Sequence, residues 1–230
     1  MLLKSPYWEP FKDFHCKMAP HHIHVFRISV EDCFKGIEGD CSNLLPEVEL
    51  HRSTKFLYAN DQRKFLVRRY YVRRILSCFS TKSPEMLHFS RNGNGKPELN
   101  NIQFNVSQGK KYSIVVVHSN PIGVDIEYID PSFAFEPILK TCFNVDEQHY
   151  VSKAEARIRF YSLWTRKEAL LKATGEGLID DLSSINSLHN QIFRNGQTFR
   201  ITTLYCHEQH FLSIATTGED KMFRFWDVTQ

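Results

Sequence analysis

The 230-residue sequence lacks several features that would identify common classes of protein. Its six cysteines are scattered, with none of the CxxC spacing of zinc or redox sites. No apolar stretch approaches the roughly 18 residues of a membrane helix, and the first residues, MLLKSPYWEPFKDF, lack the apolar run of a signal peptide. Glycine and proline are few, at 10 and 9 residues, which argues against disordered and collagen-like chains. These absences predict a cytoplasmic protein with reduced thiols.

The net charge is also small, at +3 from 29 basic and 26 acidic residues. That is too little to indicate nucleic-acid binding by itself, but it suits an anionic ligand or an acidic partner. His21, His22 and His24 form a cluster, but no fourth zinc ligand lies in range, so a zinc site there is disfavoured.

Hydrophobic periodicity gives a coarse map of the chain. It predicts helices over 47–80, with a break near 60–61, and over 135–156 and 156–174. It predicts strands over 24–30, 102–107, 112–118, 123–128, 197–204, 211–216 and 222–226, and a loop over 91–97. Helices followed by strands, twice over, predict an α+β fold of two similar halves. The halves would cover residues 1–120 and 121–230 and join near 119–122.

The first long helical stretch carries both apolar and basic residues. A stripe at helical spacing predicts a buried face made of Phe65, Val72, Ile75, Leu76 and Phe79. Arginines and lysines crowd the remaining faces. They could dock on nucleic acid, but they lie on several faces, so a solvated surface that partly serves anion binding is favoured.

The sharpest local motif is the pentapeptide GVDIE at residues 123–127. On a strand, Asp125 and Glu127 project to one face while Val124 and Ile126 turn to the core. Neighbouring carboxylates repel unless something positive lies between them, and Mg²⁺ is a common solution. The alternative is a strand with an exposed acidic face.

A second motif lies on the helix predicted over 156–174. Trp164, Glu168 and Lys172 fall at i, i+4 and i+8, so they line one face. Glu168 could be a third cation ligand or a general base, and Lys172 a phosphate-binding charge. The alternative is an ordinary surface pair. Phe160, Leu163 and Leu170 are expected to pack inward.

Two shorter motifs precede these. Gly95-Lys96-Pro97 is a turn that presents a lysine, and residues 104–108 read FNVSQ at a strand end. A lysine on a rigid turn and a serine at a strand end are both reasonable contacts to phosphate or ribose. Each motif is weak by itself.

Taken in order, the four motifs resemble the phosphopantetheinyl transferases, specifically the monomeric type built from two similar halves. That family's pattern is Gly-Lys-Pro, Phe-Asn-(Ile/Leu)-Ser-His, Gly-(Ile/Val)-Asp-(Ile/Leu)-Glu and Trp-x-x-Lys-Glu-(Ala/Ser)-x-x-Lys. The resemblance runs from about Pro46 to Leu178. It implies the pseudo-twofold fold of that family, with the active site between the halves.

The resemblance also implies an activity, which is transfer of 4′-phosphopantetheine from coenzyme A to a serine of an apo acyl or peptidyl carrier protein. The by-product would be 3′,5′-ADP. Asp125, Glu127 and Glu168 would hold Mg²⁺ (Mn²⁺ is an alternative), with Glu168 also the base. Lys172 would act on the leaving phosphate. Asp125, Glu168 and Lys172 would themselves touch coenzyme A, together with Arg52, Arg63, Arg91, Lys96, Pro97, Ser107 and Gln108.

One position departs from the family pattern. The family has a histidine, expected to contact a phosphate of coenzyme A, where this chain has Gln108. Glutamine can donate a hydrogen bond but adds no charge. Either Lys110 and Lys111 replace that charge or coenzyme A binds more weakly. Two alternative functions are a catalytically weak carrier-binding homologue and a basic nucleic-acid-binding module.

Overall fold

The computed structural model describes residues 5–12, 21–177, 179–206, 209–218 and 222–228. The α-helices there are α1 (Val30–Ile37), α2 (Cys41–Leu44), α3 (Glu47–Ser53), α4 (Ala59–Ser77), α5 (Glu136–Cys142), α6 (Val145–Val151) and α7 (Ala156–Thr174). The strands are β1 (Glu9–Pro10), β2 (His22–Ser29), β3 (Ser90–Arg91), β4 (Pro97–Glu98), β5 (Gln103–Gln108), β6 (Tyr112–His118), β7 (Ile122–Tyr128), β8 (Gln191–Arg194), β9 (Gln197–Cys206), β10 (His210–Thr217) and β11 (Met222–Asp227).

The strands form two main sheets and a hairpin. The first sheet has the order β1-β11-β2-β6-β5 and the second the order β7-β10-β9-β8, while β3 pairs with β4. The second sheet is antiparallel throughout. In the first sheet, β11 runs parallel to both β1 and β2.

The two sheets pack face to face and helices cover their outer faces. Alternate residues of β2 and β6, such as Val25 and Val116, meet Val124 and Ile126 of β7 in an apolar layer. The other faces of β2 and β6 pack against α1 and α4. The outer face of the second sheet packs against α7. The fold is therefore α+β, as the sequence predicts.

The boundary predicted between residues 120 and 121 lies in the passage from β6 to β7, and the division into two halves there stays a prediction. β11, from the predicted second half, pairs with β2 of the first sheet. Periodicity could show that 222–226 is a strand, but it carries no information about the strand's partner. The independence of the two halves stays a prediction.

The predicted helix over 47–80 is two helices. α3 ends at Ser53 and α4 begins at Ala59, so the break lies over 54–58, earlier than the 60–61 predicted. The region 135–156 is likewise divided, with Asn144 at the N-terminus of α6. The Asn144 side chain accepts a hydrogen bond from the Glu147 backbone, and the Glu147 carboxylate accepts one from the Asn144 backbone. This reciprocal capping fixes where α6 starts.

The predicted buried faces are confirmed. Phe65, Val72, Ile75 and Leu76 are buried in α4, and Phe79 packs half-buried against the same cluster. Phe160, Leu163 and Leu170 are buried in α7. In the described part of the chain, no helix is both long enough and apolar enough to span a bilayer.

α7 lies unusually close to β7, and Gly123 makes this possible. A Cβ atom on Gly123 would lie 2.1 Å from the Ala169 carbonyl oxygen and 2.2 Å from the Ala173 nitrogen. These are backbone atoms of a long helix, so they can move aside only if the whole helix moves. The absence of a side chain at Gly123 therefore sets how near α7 comes to Asp125.

Gly123→Ala is expected to lower both stability and activity, because α7 must move away from β7. Overpacking of this kind costs typically about 1–3 kcal/mol. Thermal unfolding followed by circular dichroism measures the loss. Gly36→Ala in α1 is the control, since no atom lies within 4 Å of its added Cβ. A Gly123→Ala variant with wild-type Tm would contradict this view of the packing.

Candidate active site

The seam between the two sheets is closed by side chains of β5. The Asn105 Oδ1 accepts a hydrogen bond from the Val124 N–H at 3.0 Å, and the Ser107 Oγ accepts one from the Ile126 N–H at 3.2 Å. Both side chains are buried. Asp125 lies between these two anchored residues, so its backbone is held from the opposite half of the molecule.

The side chains of Asp125 and Lys172 meet beneath this seam. The Lys172 Nζ donates to the Asp125 Oδ1 at 2.6 Å, and the Ser107 Oγ donates to the same oxygen at 2.9 Å. The Asp125 Oδ2 is buried and has no hydrogen-bond partner in the described part of the protein. An uncompensated carboxylate oxygen in the interior is costly, and a bound cation or hydrogen-bond donor would offset that cost.

Glu127 and Glu168 flank this pair and are half-buried. Burial, followed by the charge of Asp125, raises the pKa of Glu127 to about 7; Lys172 lowers it and Glu168 raises it further. Burial and then Asp125 also raise the pKa of Glu168, while Lys172 opposes them. Glu127 and Glu168 are therefore harder to ionise beside Asp125, and the Lys172 ammonium group does not fully offset the effect.

The donor set suits a hard divalent cation in chemical type, since Asp125 acts electrostatically on both Glu127 and Glu168 and its Oδ2 has no partner among the described residues. Among the described residues, however, no group of three or more His, Cys, Asp or Glu side chains is placed so that it could hold a metal ion. Lys172 occupies one oxygen of Asp125 instead. The cation site at Asp125, Glu127 and Glu168 therefore stays a prediction.

Glu127→Gln is expected to flatten the pH dependence of stability. The folded protein holds the Glu127 proton up to pH about 7, whereas the unfolded chain releases it near 4.5. The free energy of unfolding should therefore fall as the pH rises through this window. Urea unfolding in metal-free buffer across the window measures the slope, with exposed Glu136→Gln as the control. Equal slopes in wild type and Glu127→Gln would contradict the assignment.

A cavity of about 730 Å³ opens beside the acidic residues, between α3, α4 and the strands β3 to β5. Of the predicted coenzyme A contacts, Arg52, Arg91, Pro97 and Gln108 line it. Its other lining residues are mainly aromatic, aliphatic or basic, and include Phe65, Arg68, Arg69, Val72, His88, Phe89 and Phe104. Sequence reasoning did not single out Arg68, Arg69 or His88. Arg68 and Arg69 belong to the noted basic faces of the helix, but their direction depends on how α4 packs.

Besides Asp125, Glu168 and Lys172, three more predicted contacts do not line this cavity. Arg63 is exposed, with its guanidinium 5.0 Å from the centre of the Phe34 ring, and it does not line the cavity. It lies about 140° around α4 from Arg68, because five residues separate them on a helix. Ser107 is buried against Asp125 and is a positioning residue in this structure.

Lys96 is the third. The Lys96 Nζ donates to the backbone carbonyl oxygen of Lys172 at 2.6 Å and lies 3.4 Å from that of Ile122. Its charge therefore serves the C-terminal end of α7, where carbonyl groups lack helical partners. A turn motif alone could not show that the lysine points across the seam. Lys96, Glu168 and Lys172 also border a smaller cavity of about 290 Å³.

Two asparagines extend this contact between the β3–β4 hairpin and α7. The Asn92 and Asn94 side chains both donate to the Gly175 carbonyl oxygen, at 3.2 and 2.8 Å. Gly175 has a φ of 73° and ends the helix. The hairpin that carries Arg91 into the large cavity therefore also holds the helix that carries Glu168.

A third cavity, of about 350 Å³, lies on the other side of the acidic residues. Glu127 and Gln108 border it, and its remaining wall is largely aromatic, formed by Tyr128, Phe133, Phe160, Tyr161 and Trp164. Trp164 therefore lines a different cavity from Glu168 and Lys172, which border the smaller cavity of about 290 Å³. Gln108 borders both this cavity and the large one.

Comparison with known proteins assigns both halves of the chain to one family. Residues 40–120 match the model of the 4′-phosphopantetheinyl transferase N-terminal region, and residues 121–222 match that of the 4′-phosphopantetheinyl transferase superfamily. The meeting point of the two matches lies between β6 and β7. The matches also contain all four motifs found in the sequence.

Curated relatives agree with these matches. The chain is 28% identical to the 4′-phosphopantetheinyl transferase HetI of Nostoc sp., over 74% of this chain and 76% of HetI. It is 31% identical to a putative 4′-phosphopantetheinyl transferase of Synechocystis sp., over 62% of this chain and 61% of that protein. It is 31% identical to the 4′-phosphopantetheinyl transferase Sfp of Bacillus subtilis, over 57% of this chain and 61% of Sfp. The matched region thus spans about three fifths of the latter two relatives. The chain belongs to the 4′-phosphopantetheinyl transferase superfamily.

Proposed function

We propose that this protein transfers 4′-phosphopantetheine from coenzyme A to a serine hydroxyl of an apo acyl or peptidyl carrier protein. The observation that carries the proposal is that the large cavity adjoins the acidic site, because Pro97 and Val106 line both the large cavity and the smaller cavity that contains Glu168 and Lys172. The Ser107 hydroxyl hydrogen-bonds to Asp125 in the acidic site, and Gln108 lines the large cationic cavity. A ligand whose phosphates lie in the large cavity would therefore reach Glu168 and Lys172 by passing Pro97 and Val106.

The large cavity suits the nucleotide part of coenzyme A. Its volume of about 730 Å³ lies within the usual range for small-molecule sites. The half-buried ring of Phe89 offers a surface for a flat base, and Arg52 and Arg91 offer positive charge for phosphates. The wall combines the two kinds of group that an adenosine phosphate requires.

The reaction exchanges one phosphorus–oxygen bond for another. The serine oxygen forms a bond to the phosphorus attached to pantetheine, and the bond from that phosphorus to the bridging oxygen breaks. The bridging oxygen leaves as part of 3′,5′-ADP. Glu168 accepts the serine proton, and its raised pKa makes the carboxylate a better proton acceptor. The Lys172 ammonium stabilises the negative charge that develops on the leaving phosphate.

Asp125, Glu127 and Glu168 would hold a divalent cation, Mg²⁺ or Mn²⁺. When bound, it would neutralise charge on the phosphate oxygens. The fit rests on the charge coupling of Asp125 with Glu127 and Glu168 and on the Asp125 Oδ2, which has no partner among the described residues. Lys172 would keep its position beside Ser107, since its Nζ lies 3.3 Å from the Ser107 Oγ.

The proposed partner is an acidic carrier protein, which would be attracted by the net charge of +3. We further propose a monomer that acts in the cytoplasm. A nucleic-acid-binding role is disfavoured because Arg69 and Arg73 of the arginine-rich helix both pair with Glu49. A catalytically weak homologue is disfavoured because the three carboxylates and Lys172 are all present.

Product analysis tests the proposal. The protein is incubated with coenzyme A, Mg²⁺ and each member of a panel of apo carrier proteins, and 3′,5′-ADP is separated by chromatography. We expect 3′,5′-ADP only when a carrier is present, loss of the product in EDTA, and recovery with Mg²⁺ or Mn²⁺. Release without any carrier would indicate a hydrolase, and full turnover in EDTA would exclude the cation.

A further inference from the structure

Arg68 occupies a special position in the large cavity. It lies on α4 and lines the cavity wall, and its Nη1 donates a hydrogen bond to the Gln108 Oε1 at 2.9 Å. The partner is a neutral amide on the opposite wall, 40 residues along the chain. The guanidinium is thus held in place without being neutralised.

Two neighbouring arginines differ from Arg68 because each of them is paired with a carboxylate. Arg69 and Arg73 both form ion pairs with Glu49, whereas Arg68 forms none with any described carboxylate. Burial lowers the pKa of Arg68, and the charges of Arg69 and then Arg52 lower it further. A partly buried cation without a carboxylate, beside other cations, is stabilised when an anion binds.

The position of Gln108 shows which part of a ligand Arg68 would meet. Gln108 borders the large cavity and also the aromatic cavity that contains Glu127. Ser107, its neighbour in β5, contacts Asp125. Arg68 therefore lies where the large cavity meets the cavity that contains Glu127, and the phosphates that react must lie near the acidic residues.

We propose that Arg68, oriented by Gln108, binds the pyrophosphate of coenzyme A and not its 3′-phosphate. This inference rests on the function proposed above. A guanidinium presents several N–H donors in one plane, so after bonding to Gln108 it retains donors for phosphate oxygens. Gln108 is then a positioning residue, because it accepts a hydrogen bond from Arg68 and adds no positive charge.

Binding measurements with two ligands test this assignment. Isothermal titration calorimetry gives the Kd of coenzyme A and of dephospho-coenzyme A, which lacks only the 3′-phosphate. We expect Arg68→Gln to weaken both ligands by the same factor, about tenfold to a hundredfold, as is typical for a lost charged hydrogen bond. Arg74→Gln is the matched control, because Arg74 stacks on Tyr70 and Tyr71 and does not line the cavity. It should leave both Kd values unchanged.

The role of Gln108 is tested in the same assay. Gln108→Leu removes the acceptor and should weaken both ligands by a smaller factor than Arg68→Gln does. In the Arg68→Gln background, Gln108→Leu should have no further effect, because there is no guanidinium left to orient. Circular dichroism confirms that each variant is folded.

Several results would overturn the inference. If Arg68→Gln weakens coenzyme A but not dephospho-coenzyme A, Arg68 binds the 3′-phosphate. If it weakens neither while the wild type binds both, Arg68 does not contact the ligand, and the proposed transfer activity still stands. If the wild type binds neither ligand, the proposed function itself fails.

Discussion

Glu168→Gln is expected to lower kcat by about 10²–10⁴-fold, the usual loss when general-base help is removed. Glutamine keeps the shape and one oxygen of the side chain but cannot accept the serine proton. Its amide is also a weaker cation ligand than a carboxylate, which should add to the loss. The variant should stay folded, since Glu168 is half-buried on the face toward Asp125 and the core face of α7 is separate. Steady-state kinetics with circular dichroism measure both properties.

Glu136→Gln serves as the control for Glu168→Gln. Glu136 is exposed in the first turn of α5, so the same change of charge there should leave kcat unchanged. A folded Glu168→Gln enzyme with near wild-type kcat would remove Glu168 from the proton transfer. The base would then have to be sought elsewhere around Asp125 and Glu127.

Asp125→Asn is the second change with a large expected effect, about 10²–10³-fold in kcat, comparable to loss of one electrostatic group in an active site. The amide removes the negative charge that faces Lys172 at 2.6 Å, and its nitrogen is not a cation ligand. Added Mg²⁺ should not restore turnover, because the ligand itself is lost. Initial rates over a Mg²⁺ titration measure this, with Asp146→Asn on the exposed start of α6 as the control.

Recovery of wild-type rates at high Mg²⁺ would show that Asp125 affects only the strength of cation binding. Wild-type rates at ordinary Mg²⁺ would show that it has no part in the reaction. Only the second result would leave the Asp125–Lys172 pair as a structural contact.

Local periodicity predicted the acidic face well. Alternation along β7 places Asp125 and Glu127 on one side, and helical spacing in α7 places Glu168 and Lys172 on one face. These relations depend on backbone geometry alone, so they hold in any tertiary context. That the two faces meet follows from Gly123, whose lack of a side chain allows α7 to approach.

The sequence could not predict which side chains make contacts across the seam. Lys96 reads as a phosphate ligand on a turn, yet its ammonium group binds the end of α7. Ser107 reads as a ligand contact, yet its hydroxyl group binds Asp125. In both cases the deciding partner is distant in the chain, and no local pattern specifies it. The parallel pairing of β11 with β2 is unpredicted for the same reason.

The arginines of α4 illustrate a related difficulty. Composition indicates an anion-binding surface, but Arg63 and Arg68 are equivalent as residue types. Only the packing of α4 against the first sheet turns Arg68 to the cavity and leaves Arg63 over Phe34.

The central claim is that the seam between the two sheets transfers phosphopantetheine to a carrier serine. The most direct test is the intact mass of an apo carrier protein after incubation with this protein, coenzyme A and Mg²⁺. We expect a mass gain of one phosphopantetheine group on at least one carrier of a panel, and no gain when the modified serine of that carrier is replaced by alanine. An unchanged mass for every carrier, or a gain that persists without the serine, would contradict the account.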